Sequence, residues 1–300
     1  MRTTDALTPF VFEHAAVRGA WVRVDATVAA VLGGHDYPPA VRGVLAELVA
    51  ATTLLAASLK FTGSLIVQLQ GAGPLRLLVV ECTDALGVRA TAQWDPLRVA
   101  GLPSGATLAD LAGDPAQARL VMTLDPRGAG TIHQGIVALD AGSVSALIEH
   151  YLATSEQLAS RIVLARDGDA CAGLLLQRLP DHDDDASETW ARIGRALDTI
   201  PHAALLAAID ATIVLPTLFP QDDLRVFATR PVGYACSCSQ ERVDNALRIA
   251  GFDEVESILV ERGNVEVTCE FCRRVYTLDP AAARALFVVT PIAPGPACSQ

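Results

Sequence analysis

Two close pairs of cysteines, Cys236-Ser237-Cys238 and Cys269-Glu270-Phe271-Cys272, constrain this chain more than any other feature of it. Each pair places two thiols where they can hold one side of a metal ion. All four complete the tetrahedral thiolate cage that Zn²⁺ favours, so one zinc ion per chain is expected. No histidine follows His202, so the first shell is all sulfur unless a carboxylate intrudes. Four thiolates also form a site that oxidants can dismantle. The spacing therefore admits a constitutive structural zinc site in an interaction protein, or a redox switch. An all-thiolate iron–sulfur cluster is a further reading, distinguishable by colour. So is a thiol–disulfide oxidoreductase using Cys269 and Cys272, although such a pair usually opens a helix after a strand, and here a second pair upstream invites metal.

Composition narrows the rest. A net charge of -11 argues against nucleic acid and anionic membrane surfaces as partners. Half the residues are hydrophobic, as in a globular protein with a sizeable core. Seven cysteines in 300 residues are too sparse for a secreted disulfide scaffold. The N-terminus lacks a basic patch leading into an apolar segment, and the apolar stretch from Ala203 to Phe219 is broken by Asp210 and Pro216. The expectation is a cytoplasmic protein. The sole lysine, Lys60, follows Leu59, so no Walker A loop exists and ATP is not an expected partner. Gly71-Ala72-Gly73 lacks the third glycine of a dinucleotide loop and reads as a turn. No Gly-x-Ser-x-Gly elbow or paired histidine spacing suggests an enzyme.

Along the chain, residues 1–180 read as mixed α+β. Strand-like runs are Ala20–Val24, Leu65–Leu69, Leu75–Val80, Arg119–Leu124, Ile136–Leu139 and Arg161–Ala165. Long helices are expected from Pro39 to about Lys60 and from Ser143 to about Gln157. Strands do not alternate strictly with helices, which favours α+β over a doubly wound sheet. Residues 181–230 read as a mainly helical folded linker. It opens with an acidic loop (Asp181, Asp183, Asp184, Asp185) and an Asp185–Glu188 capping box. Trp190, Ile193 and Leu197, then Leu205, Leu206 and Ile209, form apolar stripes without enough chain for a core of their own. Pro201 is expected to open one apolar helix, which Pro216 and Pro220 close. Residues 231–288 form a small cysteine module, with Ser239 capping a helix that Gly251 stops. Residues 289–300 are a Pro-rich tail carrying Cys298. Cys82 and Cys171 read as buried small hydrophobes.

Over residues 8–280 the chain resembles the heat shock protein 33 family of redox-regulated bacterial chaperones. The resemblance rests on Leu59-Lys60-Phe61, Val67-Gln68-Leu69-Gln70-Gly71, Val80-Glu81-Cys82, Gln134-Gly135-Ile136-Val137 and Tyr151 with Ser155-Glu156-Gln157. Leu176-Gln177-Arg178-Leu179-Pro180 and the two cysteine motifs complete it, with departures at His133 and Ala172-Gly173. It implies an ATP-independent holdase, not an enzyme, for unfolding or oxidatively damaged client proteins. It implies an inactive state that is reduced and zinc-bound, zinc release on oxidation, unfolding of the C-terminal part and a homodimer when active.

Reach then favours Cys236–Cys238 and Cys269–Cys272 disulfides, the pairing that rearranges the chain least. Such short loops recover little chain entropy, so a module held by zinc should unfold when the metal leaves. The stripes of Trp190, Ile193, Leu197, Leu205, Leu206 and Ile209 would then become client-binding surface.

Overall fold

The structure, a computed structural model, describes residues 5–103, 106–126, 128, 130–180, 185–208 and 210–288, with the backbone alone for 185–187. The acidic loop, the Asp185 side chain, Ile209 and the tail with Cys298 lie outside the described residues. The chain divides into two compact units, residues 1–236 and 237–300.

The first unit begins with β1 (Ala6–Phe12), β2 (Val17–Arg23), α1 (Asp25–Leu32) and α2 (Pro39–Ser58). There follow β3 (Gly63–Gln70), β4 (Leu75–Thr83), β5 (Gly87–Trp94), α3 (Pro96–Ala100) and α4 (Leu108–Ala112). Next come β6 (Arg119–Pro126), β7 (His133–Ala138), α5 (Val144–Thr154), β8 (Ser160–Asp167) and β9 (Ala170–Arg178). The linker holds α6 (Asp185–Asp198), α7 (His202–Ala207) and α8 (Ala211–Leu218), and β10 (Leu224–Val226), β11 (Arg230–Pro231) and β12 (Gly233–Tyr234) end the unit.

Two sheets result. One runs β10-β1-β2-β9-β8 with β11 also on β1; the other runs β12-β5-β4-β3-β6-β7. All pairings are antiparallel except β12 with β5. The main core lies between α2 and both sheets, joining Leu45, Leu48 and Leu54 to Val22 and Leu175 of one sheet and to Val67 and Val80 of the other. α2 has the length and apolar content of a membrane span, but 78% of that segment is buried inside the protein, the environment of a core helix. Gly173 lets it come close: a Cβ there would sit 2.9 Å from Leu54 Cδ1. Gly71-Ala72-Gly73 is indeed the β3–β4 turn, and a Cβ on Gly73 would lie 2.5 Å from the Leu111 carbonyl oxygen.

The first sheet is buried on both faces. Leu175 faces α2, whereas Leu174, Leu176, Phe10, Phe12 and Trp21 face a second core. The linker helices supply the other side of that core: Ile193, Leu197 and Leu205 are fully buried in it, and Trp190 and Leu206 pack against it. Phe219 closes it, its ring 5.2 Å from that of Phe12, edge to face. Polar ties hold the same helices. Arg23, itself 9% exposed, donates to the Leu206 carbonyl and, at 3.0 Å, to that of Ala208, satisfying the end of α7. Arg192 of α6 pairs with Asp222.

The linker differs from expectation in two respects. The single helix expected after Pro201 is two, because Asp210 caps a new one, accepting from Thr212 N at 2.7 Å. Pro216 lies inside α8 rather than ending it; its missing N–H removes only one bond near the last turn.

The second unit contains α9 (Gln240–Ala250), α10 (Phe252–Arg262), a β13 (Val265–Thr268)–β14 (Val275–Leu278) hairpin and α11 (Pro280–Ala285). Ser239 caps α9, its Oγ accepting from Arg242 N at 3.3 Å, and Gly263 ends α10 in the left-handed region at φ 79°. Its core has eight buried side chains, among them Val243, Leu247, Val255, Leu259 and Tyr276. That is few for a unit expected to fold on apolar burial alone.

Candidate metal centre

The local sequence delivers each cysteine differently. Cys236 follows β12, whose parallel pairing with β5 continues through Ala235 N donating to Val88 O at 2.8 Å. Cys238 precedes the Ser239 cap, and Arg242 Nη1 donates to Ser237 Oγ at 2.9 Å, bracing the turn. Cys269 and Cys272 occupy the loop between β13 and β14. Cys269 N donates to Arg274 O and Arg273 N donates to Cys269 O, both at 2.9 Å, which folds the loop into a tight knuckle. Arg273 adopts φ 59°, an uncommon conformation for a residue with a side chain, and one held here by the loop's own closure.

The four sulfurs, all partly buried, lie within 4.8 Å of one another, the one grouping of potential metal ligands among the described residues. Cys238 Sγ and Cys272 Sγ are 3.4 Å apart. A zinc–sulfur bond of about 2.3 Å requires tetrahedral sulfur–sulfur edges of roughly 3.8 Å. The donor set and its spacing thus fit zinc, and no carboxylate among the described residues joins the group.

Three residues around the sulfurs were not singled out from the sequence. Tyr276 Oη donates to Cys238 Sγ at 3.1 Å, and this bond retains the phenolic proton, raising the tyrosine pKa. Arg274 lies at the Tyr276 hydroxyl and in the field of Cys238 and Cys272, which together favour its charged form. On β5, burial opposes the charge of Arg89, but hydrogen bonds to Glu81 and to the Cys236 sulfur outweigh it. These donors suit a cluster of thiolates, whose negative charge exceeds that of one divalent cation. The signal for Tyr276 was present: in Val-Tyr-Thr-Leu it alternates with Leu278 on the inward face of β14. For Arg89, more than 140 residues upstream of the motif, there was none.

Cys82 and Cys171 are fully buried, and burial pushes both thiols up to about 12. Neither carries appreciable thiolate at neutral pH. The six stripe residues are likewise accounted for: five lie in or against the second core, and Ile209 lies outside the described residues.

A two-sheet unit, a small second unit and a cluster of four cysteines together define a class that is matched by known proteins. The profile of the family described as Hsp33 protein matches residues 5–279, and the chain belongs to that family. The 33 kDa chaperonin of Methylobacillus flagellatus is 40% identical over 297 residues, covering 98% of each chain. That of Chromobacterium violaceum is 43% identical over 288 residues, 96% of this chain and 95% of its own. The fold is shared with the crystal structure of the 33 kDa chaperonin (heat shock protein 33 homologue) of Thermotoga maritima. The two agree with a TM-score of 0.80 at 23% identity, over 95% of this chain and 98% of the other.

Proposed function

We propose that the chain is a redox-regulated, ATP-independent holdase of the cytoplasm that binds unfolding proteins and prevents their aggregation, with no catalytic turnover. The observation that carries this reading is the gathering of Cys236, Cys238, Cys269 and Cys272 into one cluster in a chain of the Hsp33 family. When bound there, one zinc ion would keep the sulfurs deprotonated and supply the folding energy that a core of eight side chains lacks.

Oxidation removes those donors. In each pair two thiolates give two electrons to one hydrogen peroxide, an S–S bond forms, and two protons from solvent complete the two waters that leave; two peroxides complete Cys236–Cys238 and Cys269–Cys272. The thiols of Cys82 and Cys171 stay out of this chemistry because burial keeps them protonated. Loss of the Cys236 anchor loosens β12 and the strands before it. The linker stripes of Trp190, Ile193, Leu197, Leu205, Leu206 and Ile209 then expose themselves and the aromatic face of the first sheet to clients. The active form is a homodimer. A thiol–disulfide oxidoreductase fits less well, since Cys269-x-x-Cys272 sits in a strand-to-strand knuckle rather than at a helix start.

The test measures light scattering of a thermally unfolding client, without ATP, in the presence of reduced zinc-loaded protein and of protein treated with peroxide and mild heat. Suppression by the oxidised form alone is expected. Equal suppression by both forms refutes redox control, and none by either refutes the holdase.

A further inference from the structure

A cavity of about 610 Å³ in the first unit is lined by both sheets and by the C-terminal turns of α2 and α5. Leu55, Leu59, Leu65, Met122, Leu124 and Leu152 make the aliphatic part of its wall, and His133, Gln134, Ser155 and Glu156 are among its polar lining. Arg18 of β2 also lines it. Arg18 Nε donates to Gln177 Oε1 at 3.0 Å, and Gln177 is itself 1% exposed, with Ser160 Oγ 3.5 Å from its amide nitrogen. No carboxylate pairs with Arg18 among the described residues, and desolvation lowers its pKa. A guanidinium has five N–H donors, and a neutral amide engages one of them. A smaller cavity of about 180 Å³ shares Arg18, Ser58 and Gln177 and is walled by Phe10, Leu175 and Phe227. One cation therefore lines two hollows, each with an apolar part to its wall. Glu156, an exposed residue that also lines the larger cavity, accepts from Tyr151 Oη at 3.0 Å.

We propose that this cavity binds an aliphatic monocarboxylate, its carboxylate on the Arg18 fork and its unbranched tail along the leucine wall. A partly desolvated arginine without an acidic partner is completed by a carboxylate, which it can grip through two parallel hydrogen bonds. The aliphatic wall gains from every methylene taken out of water, by up to about four-fold in affinity each. The cavity size falls within the range of small-molecule sites, about 300–1,000 Å³. The site uses the first unit alone and no metal, so it stands or falls independently of the chaperone reading.

Titration calorimetry of the full-length reduced protein with octanoate, decanoate and dodecanoate, below their micelle concentrations, tests it. One ligand per chain is expected, with affinity rising along the series. Arg18→Gln should weaken dodecanoate binding at least about ten-fold, and Arg18→Lys less. Leu59→Trp, at a residue 43% exposed and so tolerant of bulk, should narrow the cavity and penalise the longest chain most. Dodecyltrimethylammonium, with the same tail and the opposite charge, should not compete. Undiminished binding by Arg18→Gln, competition by the ammonium, several ligands per chain or no binding each overturns the proposal. Should Arg18→Gln fail to fold, judged by circular dichroism, Arg18→Lys and Leu59→Trp decide by the same criteria.

Discussion

Replacing Tyr276 by Phe removes one atom from the surroundings of the cysteine cluster and leaves the packing in place. The ring is 9% exposed and belongs to the small core with Val243, Leu247 and Leu278, contacts that phenylalanine keeps. What goes is the hydroxyl that donates to Cys238 Sγ at 3.1 Å. Removing an outer-shell partner of a metal ligand typically weakens metal binding about 10–100-fold, or about 1.4–2.7 kcal/mol. Sulfur is a weak acceptor and Arg274 remains beside the site, so the lower end, about ten-fold, is expected. Competition with a chromogenic chelator at fixed pH measures the zinc affinity directly. Peroxide-driven zinc release should also be faster in the variant. An affinity within two-fold of the parent would show that the hydroxyl does not support the cluster, and the outer-shell assignment would be wrong.

Other consequences follow from burial. In the native protein Cys82 and Cys171, with thiols near pH 12, should resist alkylation between pH 7 and 9 and react only on unfolding; prompt labelling would contradict their placement. Because folding favours the neutral thiol, the associated stability is complete below the unfolded thiol pKa of about 8.5 and is lost as pH rises toward about 12. Denaturant titrations across that window should show the decline. Phe219→Ala should destabilise the linker's packing by about 3–5 kcal/mol, since the ring is 2% exposed between Phe10 and Phe12. The variant should bind clients without oxidation, and a variant inert until oxidised would separate linker packing from client access.

How much was legible depended on how local the determinants are. α2 announces itself through Pro38-Pro39 and a long stretch rich in Ala and Leu, and β3, β4 and β6 through short apolar runs bounded by turn residues. The cysteine motifs were equally plain, because ligand spacing is a local property. α1 was missed since its first N–H groups are capped from afar, by Asp5, which accepts from Ala26 N at 3.0 Å and from Thr27 N. β1 was missed because it contains Pro9. The structure accommodates it where β10 and β11 leave a gap, their registers covering residues 10–12 and 6–7 of β1. β9 hides its alternation because both faces of its sheet are covered, so Leu174, Leu175 and Leu176 are all buried. Around the cluster, Arg89 was illegible for the reason that β10–β12 were: only the folded chain brings β12 beside β5.

Hydrogen exchange before and after peroxide treatment, with zinc release followed in parallel, tests most directly whether oxidation of the four cysteines frees the linker. The account predicts that residues 185–226 and 237–288 lose protection as zinc leaves, while Leu65–Leu69 in β3 stay protected. Unchanged protection of α6–α8 after complete zinc release would contradict it.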